Sequence, residues 1–442
     1  MQKNNIKAHV QDLISKHSEK AVDLARDILQ HPETGFREFR TAGLVQQFFD
    51  YLGLQHKDEL AVTGTRANLQ GANSGPTLAI MGELDSLIVP GHPFADPNTG
   101  FAHACGHHTQ IGSMLAAAAA LADPDVRENI NGNIAFIAVP AEEYIELEYR
   151  QSLVEEMKLE FMGGKAELIK LGVFDDIDMA MLTHSSTNAA EGKIAYGSIN
   201  NGAIAKEAKF IGIQAHAGSA PHKGINALQA AHVAFAAINA NRETFQDADS
   251  IRVHPIITHG GDVVNAVPSN VRLEMFIRGR TLESIADADI KVERALKAGA
   301  LAVGAKVELN TFAAYLPMSV NEEFFEIFRQ NAEVVVGASN VKRGAPRGSS
   351  TDMGDLTHLL PTIQPYATGC TGTVHGADFL VQDYQTAVVD PACSMALTAI
   401  DLLSKEALGS RMVDNFQPIL TKSAYLELQR GFNRHTLFDG AI

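Results

Sequence analysis

Apolar residues recur at helical spacing over residues 8–29 (Val10, Leu13, Ile14, Ala21, Leu24, Ala25, Ile28, Leu29), so a long amphipathic helix opens the chain. Pro32 and Gly35 break it in "HPETGF", and a second helix follows over about 38–53. Strands and helices then alternate. "TLAIMGELD" (77–85) reads as a buried strand ending in acids, and 107–122 as an alanine-rich helix. "NIAFIAVPAEE" (133–143) is a second strand ending in acids, and "DMAMLTH" (178–184) a third that ends in a histidine. This alternation predicts an α/β fold with a doubly wound, mostly parallel sheet.

From about residue 195 the pattern changes. "IAKEAKFIGIQAH" alternates as a half-exposed strand does, and a helix over 225–240 follows. Strands near 251–259 and 270–280, a helix near 283–303 and the strand "AKVELNTF" complete a strand–helix–strand–strand–helix–strand order. That order predicts a ferredoxin-like α+β domain inserted into the first one. The expected boundaries are 1–194 with 316–442 for the discontinuous first domain, and 195–315 for the insertion.

Composition narrows the functional classes. The chain has 442 residues, enough for two or three domains of roughly 100–200 residues each. A formal net charge of −16 argues against nucleic acid or an anionic membrane as main partner, since both are bound by basic patches. The N-terminal "MQKNNIKAHVQDLISKHSEK" lacks the apolar core of a signal peptide, and "IGSMLAAAAALA" (111–122) falls short of the roughly 20 residues needed to cross a bilayer. Three cysteines without framework spacing (Cys105, Cys370, Cys393) fit a reducing compartment. The expectation is a soluble cytoplasmic protein, with Cys370 and Cys393 as core thiols.

In an open parallel sheet, ligands bind at the carboxyl ends of the strands. Here those ends bear Glu83 and Asp85, the Cys105–His107 turn, Glu142 and Glu143, and His184; His375 in "GTVHGADF" is a fifth candidate. Cysteine, histidine and glutamate together suit zinc, manganese, cobalt or nickel rather than magnesium or calcium. At a strand end, where the chain turns, both carboxylates of Glu142–Glu143 can reach one cleft. One can ligate metal while the other acts as general base on a water acidified by the metal.

"HPETGFREFRT", "GELDSL", "HACGHH", "AVPAEE", "GGKAELIKLGVFDDIDMAMLTH", "GGDVVNAVPSNVRLEMFIRGRT" and "GSSTDMGDLTHLLP" occur in that order along the chain. Together they resemble the aminoacylase/carboxypeptidase family of dinuclear metallo-amidohydrolases, in the branch of N-acyl-amino-acid, indole-acetyl-amino-acid and aminobenzoyl-glutamate amidohydrolases. The resemblance implies two divalent metal ions per subunit with Cys105, His107, Glu143, His184 and His375 as ligands. It implies Glu142 as general base and Asp85 as the acid that orients a ligating histidine. The inserted domain would be a dimerisation lid, so the resemblance implies a homodimer. His216 would reach a neighbouring subunit's site and steady the oxyanion, while Asn265 and Arg278 would hold the carboxylate of a small N-acyl-amino-acid substrate.

Three departures stand out. His108 occupies a position usually held by Asp or Asn in this branch, and Glu83 one where many members have Asp. "YIELEYRQSLVEEMKLEFM" (144–162) intervenes beside the expected base, where the family often runs directly into glycines. Two alternatives stay open at this level. One is a cysteine hydrolase with Cys105 as nucleophile, the other a catalytically weak metal- or ligand-binding homologue.

Overall fold

The computed structural model describes residues 3–441. They form two compact units. The first comprises residues up to Ile199 together with Ser319–Pro346 and Asp355–Ile419; the second comprises Asn200–Met318, Arg347–Gly354 and the segment from Leu420 onward.

The first unit opens with α1 (Lys3–Gln30) and α2 (Phe39–Tyr51). Val10, Ile14, Ala21, Ala25 and Ile28 form the buried stripe of α1, as the spacing predicts. Strands β1 (His56–Leu60), β2 (Gly64–Gln70) and β3 (Asn73–Glu83) precede α3 (His107–Leu121). Then come β4 (Asn131–Val139), α4 (Leu147–Glu155), α5 (Gly164–Lys170) and β5 (Met179–Met181). The six-stranded sheet runs β1-β2-β4-β3-β5, followed by the short strand Thr362–Ile363. Pairing is parallel from β4 through β3 and β5 to Thr362–Ile363, and antiparallel from β1 through β2 to β4. The sheet is thus mostly parallel at its centre, with an antiparallel flank absent from the sequence expectation. All fifteen residues of α3 are buried, because α1 and the helix Asp390–Leu402 pack against it. A helix with apolar surface on every side is stable only when enclosed in this way.

In the second unit β6 (Asn200–Ile211), α6 (Ala227–Ala240), β7 (Arg252–His259), β8 (Asn270–Gly279), α7 (Leu282–Val303) and β9 (Lys306–Tyr315) follow the expected order. The antiparallel sheet runs β7-β8-β6-β9. Caps fix the helix starts: Asn226 accepts from the amides of Leu228 and Gln229, and Thr281 forms a capping box with Ser284. A fifth strand, β10 (Arg434–Asp439), pairs antiparallel with β9. Arg347–Ser350 pairs parallel with the start of β6. Both segments lie in 316–442, the stretch expected to belong wholly to the first domain. The backbone donors and acceptors on the outer edge of β9 are satisfied by β10, which draws the chain's last residues into the second unit. Lys206 on β6 is fully buried, 3.1 Å from Asp289 and donating to Thr311 at 2.5 Å.

Candidate metal centre

The carboxyl ends of β3, β4 and β5, the amino end of α3 and the loop between the short strands Cys370–Thr371 and Leu380–Val381, which bears His375, bring seven expected residues of the first unit together. Gly106, at φ +88°, makes the turn that sends Cys105 and His107 into the site; a side chain there would meet Ser185 Oγ at 2.5 Å. The ring of His107 is fully buried, and its Nδ1 donates to the backbone carbonyl of Asp85 at 2.9 Å, with the Asp85 carboxylate 3.3 Å away. That bond fixes the tautomer and leaves the Nε2 lone pair facing the other donors. His184 is oriented in the same way, with Nδ1 donating to the Ser185 carbonyl at 2.9 Å and Nε2 lying 3.5 Å from Cys105 Sγ. His375, on a residue with φ +65°, is tied back by its amide to the Ala104 carbonyl, and its Nε2 lies 3.1 Å from Glu143 Oε1.

Two donor triads result, Cys105–His107–His184 and Cys105–Glu143–His375. They share one sulfur. A third cluster is Glu83, His107 and Glu142, with Glu142 Oε2 3.7 Å from His107 Nε2. The donor chemistry fits divalent metal: a thiolate, imidazole lone pairs and carboxylates, with His107 Nε2 buried and lacking a hydrogen-bond partner among the described residues.

Electrostatics favour the ligating forms of the thiol and carboxylate. Burial and the Glu143 charge push the Cys105 thiol up, but His184, His107 and His375 together pull it down to about 6. Burial opposes the charge on Glu143, yet His375 and His107 hold it well below the usual carboxylate range. Burial also disfavours protonation of His107, but Cys105 and Glu83 raise it well above an ordinary histidine in the metal-free protein. Cys370 and Cys393 have no such neighbours to lower them, and burial pushes both thiols up to about 12.

The turn 141–143 bearing the two glutamates is held from three directions. Ala141 takes a left-handed φ of +54°, a strained conformation for a residue with a side chain. Its amide donates to Glu38 Oε1 at 2.7 Å, and the Glu143 amide donates to Asp85 Oδ2 at 2.8 Å. Burial and the Asp85 charge push Glu38 up to about 8. The third hold comes from the 144–162 segment, which contains α4. Its Arg150, 1% exposed, donates to the carbonyls of Ile145 (2.7 Å), Ala141 (3.2 Å), Glu143 and Met162. The insertion is therefore a strap gripping the turn from behind, fastened further by Arg37–Glu146 at 2.5 Å and by Tyr149 donating to the Phe36 carbonyl.

Sequence reasoning missed Arg150, Glu38 and Lys165. The available signal for Arg150 was a lone arginine within an acidic and apolar insertion. His103 and His108 do not join the triads. They are buried with ring centroids 5.3 Å apart and line a separate cavity of about 230 Å³ with Arg26, Phe94 and Tyr384.

The remaining expected residues lie in the second unit. His216 is exposed, its Nδ1 accepting from the amides of Gly218 and Ser219 at 3.1 Å. Its segment bridges to Ala266, which sets Asn265 beside it. Arg278 lies on β8, stacked 4.6 Å over Phe276.

Residues 79–388 match peptidase family M20/M25/M40. The chain is 28% identical to indole-3-acetyl-aspartic acid hydrolase of Enterobacter agglomerans, over 77% of this chain and 84% of that protein. It is 27% identical to the Xaa-Arg dipeptidase of Mus musculus, over 91% and 90% respectively. In fold it is similar to a dinuclear metal binding peptidase of family M20 from Bacillus subtilis, with a TM-score of 0.63 at 19% identity, covering 88% of this chain and 99% of the other.

Proposed function

The chain belongs to peptidase family M20/M25/M40, and from that premise we propose that it hydrolyses the amide bond of a small N-acyl-amino acid or related amide with a free carboxylate. The observation supporting this most directly is the pair of donor triads sharing Cys105, with Glu142 beside them. Cys105, His107 and His184 would hold one divalent ion; Cys105, Glu143 and His375 the other. When bound, such ions polarise an amide carbonyl and bring a water's pKa toward roughly 7. Glu142, at 5% exposure, takes a proton from the attacking water and returns it to the leaving amine. Asp85 acts through its neighbours, fixing the ring of His107 and the amide of Glu143. In the second unit, His216 is assigned to the developing oxyanion in a neighbouring subunit, and Asn265 with Arg278 to the substrate carboxylate.

The finer assignments follow from the same reading. The donor set suits zinc, manganese, cobalt or nickel. Three buried, unbridged cysteines suit the cytoplasm, and no helix among the described residues is long and apolar enough to cross a membrane. The exposed edge β7, with Ile256 and Ile257 open to solvent, supports a homodimer formed through the second unit. The test is turnover of an N-acyl-amino-acid and dipeptide panel by metal-reconstituted protein, beside Glu142→Gln. Glu142→Gln is expected to retain two metal ions and lose about 10²- to 10⁴-fold in kcat. Activity surviving exhaustive chelation but lost to a thiol alkylator would instead make Cys105 a nucleophile.

A further inference from the structure

Apart from the donor triads, the first unit holds a cavity of about 230 Å³, lined by residues from the last turn of α1 and the first turn of α3. Three histidines face it, and they differ in how they are satisfied. His92 is fully engaged: its Nε2 donates to the Phe379 carbonyl at 2.7 Å and its Nδ1 accepts from the Phe94 amide at 3.1 Å. His103 and His108, 1% and 0% exposed, are not. All four of their ring nitrogens are buried without a hydrogen-bond partner among the described residues.

A change of protonation does not remove the need. A neutral imidazole carries one donor and one acceptor and a charged one carries two donors, so each ring calls for two partners in either form. The two rings cannot serve each other fully, because one contact between them would still leave two nitrogens open. Buried polar groups in folded proteins are paired almost without exception, so two open rings on one cavity wall mark a binding surface.

The rest of the lining sets the chemistry of the ligand. Phe94, Phe379 and Tyr384 supply aromatic walls. Arg26 stands at the rim, its side chain 53% exposed and its guanidinium 4.8 Å over the Tyr384 ring. The same ring meets His108 at 6.5 Å between centroids, so the cation and the open imidazole share one aromatic neighbour. The contact of Arg26 with Asp23, at 3.1 Å and exposed, is of a kind worth little, and a ligand carboxylate can join or displace it. No acid lines the cavity among the described residues, which disfavours a cationic ligand. A cavity of about 150 Å³ takes benzene, so this one takes a single ring with small substituents.

We propose that the cavity binds a single-ring aromatic acid bearing a hydrogen-bonding group opposite its carboxylate. The carboxylate pairs with Arg26 at the rim, the ring packs among the aromatic walls, and the far group reaches the nitrogens of His103 and His108. The site uses neither metal position, so it stands or falls separately from the proposed hydrolysis.

The test is calorimetric titration of full-length, metal-loaded protein with 4-hydroxybenzoate and with two probes that each lack one end, benzoate and 4-hydroxybenzyl alcohol. 4-Hydroxybenzoate is expected to bind once per chain with a dissociation constant of about 0.1–1 mM. Each truncated probe should bind about tenfold more weakly. Arg26→Gln should weaken 4-hydroxybenzoate about fivefold and leave the alcohol unaffected. Val381→Phe, which fills the cavity, should abolish binding. Both positions reach the surface in part, so these variants keep the fold, which circular dichroism checks. Binding should survive removal of the metal by chelation. No binding up to about 10 mM, leaving the cavity to water alone, overturns the proposal. Equal affinity for benzoate, binding that Val381→Phe leaves intact, or binding that disappears with the metal overturns it as well.

Discussion

Replacing Arg150 with methionine tests whether the 144–162 strap supports the turn that bears Glu142 and Glu143. The substitution keeps an apolar stem and removes every donor of the guanidinium. Four carbonyls, those of Ala141, Glu143, Ile145 and Met162, lose a charged donor inside the protein. The Glu143 and Ala141 carbonyls still accept from the amides of Ile145 and Gly164, whereas those of Ile145 and Met162 lose the donor that Arg150 supplied. A buried acceptor left unpaired costs about 1–3 kcal/mol, so these two together cost roughly 2–6 kcal/mol. Relief from burying a cation, together with water entering beside the strap, recovers part of this. The net expectation is a loss of about 2–4 kcal/mol. Because the chain has no tryptophan, urea unfolding of the metal-free protein is best followed by far-ultraviolet circular dichroism. The same variant, with metal restored, should lose kcat far more than it raises KM, because the turn orients the proposed base rather than the substrate. A folded Arg150→Met protein within about 1 kcal/mol of wild type and with unchanged kcat would refute the strap's role.

In metal-free protein, alkylation of Cys105 by iodoacetamide should rise as pH increases through about 6, where its thiol ionises, while Cys370 and Cys393, pushed up to about 12, stay silent. A Cys105 midpoint near the ordinary 9.0 would contradict the electrostatic account of the site. Gly164→Ala should cost about 2–3 kcal/mol in urea unfolding and weaken metal binding, since the added methyl forces α5 away from Pro140; wild-type values for both would count against that close approach. Lys206→Met leaves Asp289 buried with Arg434 still paired to it, and should destabilise the second unit by about 1–3 kcal/mol, visible as faster proteolysis within residues 200–318. Unchanged protease resistance would show the pair to be dispensable.

The order of elements and the donor set were legible because both follow from local rules. Apolar runs that end in acids or histidine marked β3, β4 and the stretch after β5, and strand ends in such sheets converge on one edge. The antiparallel flank was not legible. β1, "HKDEL", alternates exposed and half-buried positions and has little that separates it from a loop. β10 was missed for a different reason: "RHTLFD" becomes a strand through its register with β9, more than a hundred residues away in sequence. Arg150 and Lys165 look like ordinary surface cations in the sequence. Arg150 is buried because the chain on both sides of it curls back to offer carbonyls from 141–162, and Lys165 because Glu83, 82 residues away, meets it. Local periodicity holds no record of such partners.

The way the two units share the chain constrains the order in which they can assemble. The first 199 residues supply α3 and five strands of the first sheet, but the helix Asp390–Leu402 that covers α3 is made much later. The second unit starts at Asn200 and gains its last strand only at Arg434–Asp439. Neither unit is complete before the other has begun. A chain emerging from the ribosome therefore passes through a long interval with the apolar α3 only partly enclosed and the outer edge of β9 unpaired. Those two surfaces are where a nascent chain would meet a chaperone, or another nascent chain.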